Sequence, residues 1–120
     1  MPFQYLLTNL LVDVPGAQGA VFLDSEGETV ELVTRQATPY ELKLEGAYHG
    51  IFLRRAARLA ALNKSGELER VTISGSKLQV MSWALREGYY LVLVMEPGTS
   101  LALAGDAVRQ VSEALNREIP

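Results

Sequence analysis

Cysteine is absent from this 120-residue chain. That excludes disulfides and thiolate metal sites, so any stability must come from packing. A reducing compartment fits the composition. Histidine occurs once, at His49, and tryptophan once, at Trp83. No apolar stretch approaches the ~20 residues needed to span a bilayer. A basic excess is missing too: the formal net charge is −3 and the isoelectric point about 5.1. Wholesale nucleic-acid binding is disfavoured, because phosphate recognition draws on a basic surplus. The start, Met1-Pro2-Phe3-Gln4-Tyr5-Leu6-Leu7, has no basic leader before its apolar residues, so no targeting segment is expected. A cytoplasmic protein with no membrane insertion is the expectation. No internal repeat stands out. The length suits one domain with a core of its own.

The dominant feature is Tyr89 to Met95, an unbroken apolar run. Arg86-Glu87-Gly88 precedes it and Glu96-Pro97-Gly98 follows. A run without polar alternation fits a strand covered on both faces, near the middle of a sheet. A buried helix segment is the rival; short length and flanking turns favour the strand.

Phe3 to Val14 carries Leu6, Leu7, Leu10, Leu11 and Val14 on one stripe, which predicts a short helix ended by Pro15-Gly16. Ala17 to Asp24 and Thr29 to Thr34 predict two antiparallel strands around a Ser25–Glu28 turn. Glu28, Glu31 and Arg35 suit a charged edge strand. After a connector from Gln36 to Pro39, a long helix is predicted from Pro39 or Tyr40 to Leu62. Thr38 can cap it, Pro39 fits its first position and Glu41 complements its dipole. Its second half is apolar on more than one stripe, which suggests a second surface to bury, plausibly a second subunit. An Ala-rich end that is simply a good helix former also accounts for it. Leu68 to Ser74 predicts a third strand. Gly75-Ser76 then suits a two-residue type II′ hairpin into a fourth strand, Lys77 to Leu85. The Tyr89–Met95 strand completes a meander. Thr99 or Ser100 can cap a final helix whose Leu101, Ala104, Val108, Val111 and Leu115 share a stripe. The order helix, two strands, helix, three strands, helix indicates an α+β fold. We expect a three-layer α/β/α sandwich around a mostly antiparallel five-stranded sheet.

The residues offer little chemistry. His49 has only Glu45 as a neighbouring acid one turn away. A solvent-exposed or partner-facing histidine is therefore expected rather than a metal ligand or base. The acids Asp24, Glu26 and Glu28 read as a solvated turn. Gly16-Ala17-Gln18-Gly19 and Ser74-Gly75-Ser76-Lys77 lack the strand–loop–helix context of a phosphate loop. No catalytic, metal or cofactor site is expected. Arg54, Arg55 and Arg58 cluster on the long helix; they either complement its carboxyl-terminal dipole or dock an acidic partner. Gly46 and Gly50 either admit close packing, of the sheet or a partner helix, or are tolerated weaknesses.

The chain resembles the Roadblock family, which includes Roadblock-type dynein light chains and bacterial gliding-motility regulators. The resemblance rests on Leu10-Leu11-Val12-Asp13-Val14-Pro15-Gly16-Ala17-Gln18-Gly19-Ala20-Val21. Asp24 and Gly27 in the first hairpin turn and Gly88-Tyr89-Tyr90-Leu91-Val92-Leu93-Val94 add to it. It covers essentially the whole chain and implies a single domain over 1–120. The second strand should lie at one edge, the third at the other and the last inside. It further implies a homodimer through the long helix and third strand, here through Ile51, Phe52, Leu59, Val71 and Ile73. The expected role is a non-enzymatic regulator of a small Ras-like GTPase, with His49, Arg54, Arg55 and Arg58 as docking residues. A scaffold subunit indifferent to nucleotide is the alternative. An enzyme or small-ligand sensor is a third reading. Leu101-Ala102-Leu103-Ala104-Gly105 departs from the family's usual Leu-Gly-Leu-Val-Arg-like helix opening.

Overall fold

The computed structural model describes residues 2–35 and 38–120. Gln36 and Ala37, read above as part of a connector, lie outside the described residues. The elements are α1 (Pro2–Asp13), β1 (Ala17–Leu23), β2 (Thr29–Thr34) and α2 (Pro39–Leu62). Then come β3 (Arg70–Ser74), β4 (Gln79–Ala84), a 3₁₀ turn (Arg86–Gly88), β5 (Tyr90–Met95) and α3 (Leu101–Glu118). The five strands form one antiparallel sheet in the order β2-β1-β5-β4-β3. Helices α1 and α3 cover one face and α2 the other. No helix among the described residues is long and apolar enough to cross a membrane.

The apolar run ends up where its composition demands. All six β5 residues are buried between β1 and β4. Leu91, Leu93 and Met95 point to the α1/α3 side, with Ala20 and Phe22 of β1. Tyr90, Val92 and Val94 point to the α2 side, with Val21 and Leu23. The period of two thus feeds two cores from one strand. On the α1/α3 side, the Phe22 ring lies between Phe3 at 5.1 Å and Tyr89 at 5.6 Å. Tilted aromatic contacts of this kind add ~0.5–1.5 kcal/mol beyond burial.

Both short helices obtain their amphipathic seating. Leu7, Leu10, Leu11 and Val14 are buried at the α1 end of the chain. Gly16 turns it at φ 100° into β1. Arg35, past the end of β2, donates to the carbonyls of Leu11 and Ala17, so it ties the edge hairpin to α1. In α3, Ala104, Val108, Val111 and Leu115 are buried, whereas Leu101 at the first position is exposed. The Ser100 hydroxyl caps it by accepting from the Leu103 amide at 3.2 Å.

The β3–β4 connection differs from the two-residue turn expected of Gly75-Ser76. Ser74 pairs with Gln79, so the loop holds residues 75–78. Gly75 does not take the positive φ that a type II′ turn requires. Its amide donates to the Leu78 carbonyl instead. The Gln79 side chain donates to the Thr99 carbonyl at 2.9 Å, which anchors the strand start at Gln79 rather than Lys77.

Candidate protein-interaction face

Helix α2 positions most of the residues singled out in the sequence. Thr38 and Glu41 close a capping box: the Glu41 amide donates to Thr38 Oγ1, and the Thr38 amide to the Glu41 carboxylate. Such a cap is worth ~1 kcal/mol. Leu42, Gly46, His49, Gly50 and Leu53 form the buried side of the helix. A Cβ on Gly46 would stand 3.0 Å from Val21 and Leu23 side chains, and one on Gly50 only 2.3 Å from the Tyr90 hydroxyl. The two glycines therefore bring α2 down onto the sheet, not onto a partner helix. Tyr90 completes the seat by donating to the Gly46 carbonyl at 3.1 Å. Burial, partly opposed by the Arg54 charge and assisted by Asp24, pushes its hydroxyl pKa up.

His49 was expected to be solvent-exposed or partner-facing; it is instead buried, at 3% exposure, in the seam between α2 and β4. Its Nδ1 shares a 2.7 Å hydrogen bond with Ser82 Oγ. Its Nε2 lies 3.8 Å from a Glu45 carboxylate oxygen, and the Phe52 ring meets it edge-on at 5.4 Å. Burial lowers its pKa, which favours the neutral ring. The reason is helical phase. His49 sits three residues after Gly46 and four before Leu53, on the stripe that faces the sheet. Ser82 was the missed signal: it is a lone polar residue sharing a strand face with Leu78 and Val80, and such a residue needs a buried partner. A serine and histidine this close invite a nucleophile reading. Ser82 is wholly buried, so no substrate reaches its hydroxyl here.

The acidic turn is structural. The Asp24 carboxylate accepts from the amides of Glu26 at 2.9 Å and Glu28 at 3.0 Å, which organises the β1–β2 turn. Among the described residues no group of three or more His, Cys, Asp or Glu could hold a metal.

Much of what α2 leaves outside is apolar. Leu44, Tyr48, Ile51, Phe52, Leu59 and Leu62 are exposed, Leu62 at 72%. At about 100° per residue they fall within one stripe along the helix. Beside it runs the β3 edge. Val71 and Ile73 oppose Ser82 and Val80, so they share the α2 side of the sheet. Val71 is half-buried and Ile73 exposed. Ile51, Phe52, Leu59 and Ile73 are thus on the surface together with the edge of Val71. Arg55 and Arg58 are exposed among them, and Arg54 is exposed at the border with the inner side of the helix. None forms an ion pair among the described residues. None stands in the last turn of α2 either, where the dipole would matter most.

No protein-family model matches the sequence, and no curated protein matches it. Solved structures do. A Roadblock/LC7 domain from Streptomyces avermitilis superposes with a TM-score of 0.82 at 16% identity, covering 95% of this chain and 94% of that one. The chain has the Roadblock fold. Myxococcus xanthus MglB gives a TM-score of 0.85 at 17% identity, over 98% of this chain and 94% of that one. The gliding protein MglB from Thermus thermophilus gives 0.84 at 20%, over 96% and 86%. In Roadblock terms, β2 and β3 are the sheet edges and β5 lies inside, as the resemblance implied.

Proposed function

We propose that this chain is a non-enzymatic, dimeric adaptor that binds a small Ras-like GTPase and modulates its hydrolysis or nucleotide state. One observation carries the reading: the apolar outer stripe of α2, beside the β3 edge and studded with three unpaired arginines, on a Roadblock fold. A second copy meets Ile51, Phe52, Leu59, Val71 and Ile73, with the two sheets continued across the β3 edges. Arg54, Arg55 and Arg58 attract an acidic surface of the GTPase. His49 docks no partner directly in this reading; it seats the helix that carries the arginines. The adaptor needs no catalytic residue, because ordering the mobile loops of the GTPase alters its turnover. Such a protein works in the cytoplasm.

The test is affinity capture from lysate of the source organism, with a non-hydrolysable GTP analogue or with GDP. Recovery of a small GTPase mainly with the analogue supports regulation and leads to hydrolysis assays. Equal recovery in both replaces it with a scaffold. Recovery of no GTPase overturns the reading.

A further inference from the structure

The second half of α2 carries a second apolar stripe that the self-association face does not use. Leu53, Ala57 and Ala61 look inward, toward the sheet. At 24 residues α2 is about 36 Å long, whereas a six-residue strand reaches only ~20 Å. The helix therefore overruns the end of the sheet. Beneath the overrun lies a cleft of about 570 Å³, floored by Leu68, Leu85 and Tyr89 and bounded by Ser25 and Gly88 from two turns. Its size falls within the ~300–1,000 Å³ of ligand pockets. Ala57 and Ala61 are too short to fill it, and both are exposed.

The polar groups of the cleft are few and separated. Arg54 lines it without an ion pair among the described residues. Ser25 is the other uncharged polar residue of the lining besides the tyrosines. The Tyr90 hydroxyl is already committed to the Gly46 carbonyl. The one acid of the lining, Glu67, forms no ion pair with Arg54 among the described residues. An apolar trough whose one cation, Arg54, has no ion-pair partner among the described residues matches an amphipathic anion better than a cation or a neutral chain.

We propose that this cleft binds an elongated amphipathic monocarboxylate, a medium-chain acyl acid. Its hydrocarbon lies along Leu53, Ala57 and Leu68, and its carboxylate meets the Arg54 guanidinium. An arginine holds a carboxylate in two parallel hydrogen bonds, which a hydroxyl cannot reproduce. The inference shares Arg54 with the proposed docking residues, but it is read on the isolated chain and requires no GTPase.

Calorimetric titration of the full chain with decanoate, octanoate, decan-1-ol and decylamine tests it, each below its aggregation concentration. Decanoate should bind saturably at one site. Octanoate should bind ~15-fold more weakly, at roughly fourfold per lost methylene. Decan-1-ol should bind about fivefold or more below decanoate, and decylamine weaker still. Arg54→Met should bring decanoate down to the alcohol's affinity while leaving the alcohol unchanged. Ala57→Trp and, separately, Ala61→Trp should abolish binding of all four, with far-ultraviolet circular dichroism unchanged. No saturable decanoate binding overturns the proposal. So does full affinity in Arg54→Met or in both folded tryptophan variants.

Discussion

The two sides of the sheet are finished differently. Five strands span about 19 Å at ~4.8 Å spacing, and packed helices stand 8–10 Å apart. Two helices, α1 and α3, therefore cover the first side. At its β3 margin a polar group completes the cover: the Arg70 guanidinium lies 5.3 Å over the Trp83 ring, and Gly105 on α3 leaves room for it. One helix, α2, crosses the second side and touches all five strands without burying the β3 edge. Ile73 stays exposed there, and the outer stripe of α2 finds nothing within the chain to pack on. The first side is built for stability. The second combines stability beneath α2 with an unburied apolar stripe above it, the surface that the proposed dimer would cover.

Substitutions on the two sides should separate these roles. The largest effect is expected from Phe22→Ala, which empties the ring site between Phe3 and Tyr89; urea unfolding should show a loss of ~3–5 kcal/mol. Next is Gly50→Ala. In an ordinary helix interior this change stabilises by ~1 kcal/mol. Here the new methyl collides with the Tyr90 hydroxyl, so a loss of ~1–3 kcal/mol is expected. A gain would mean that α2 is seated less tightly than described.

A pH titration probes the seam itself. Burial lowers the His49 pKa below its ordinary 6.5, so the unfolded chain binds the proton more readily. Stability is then fully present above pH 6.5 and declines as pH falls below it, towards the depressed folded value. His49→Gln should flatten that decline in stability measured between pH 7 and 5. An unchanged slope would assign it to carboxylates elsewhere. The smallest effect on stability belongs to Phe52→Glu with Leu59→Glu: about 0.5 kcal/mol for surface positions in dilute solution. The same pair should convert a dimer to a monomer in sedimentation velocity at tens of micromolar. A wild-type chain that is already monomeric there would sink the dimer.

Much of this architecture was legible in residue order. The Tyr89–Met95 run announced a central strand, because only a strand covered on both faces can afford continuous apolar character. Thr38, Pro39 and Glu41 marked the start of α2, since capping is local chemistry. Alternation in β4 placed Val80 and Ser82 on one face and Met81 and Trp83 on the other. His49 was misjudged because an isolated histidine carries no orientation of its own. Its phase against Gly46 and Leu53 held the answer, but Ser82 lies 33 residues away. The four-residue loop after Ser74 was hidden for a similar reason, as the Gln79–Thr99 contact that sets it is distant in sequence.

The sequence by itself determined the elements, their order and the two-sided burial of β5, because periodicity, caps and turn residues act over a few neighbours. Tertiary structure alone decided which stripe of α2 is buried, that Gly46 and Gly50 face the sheet, and that the helix outreaches the strands. Those depend on where a rigid 24-residue rod rests on a shorter, five-stranded surface, and no stretch of the chain encodes that fit alone.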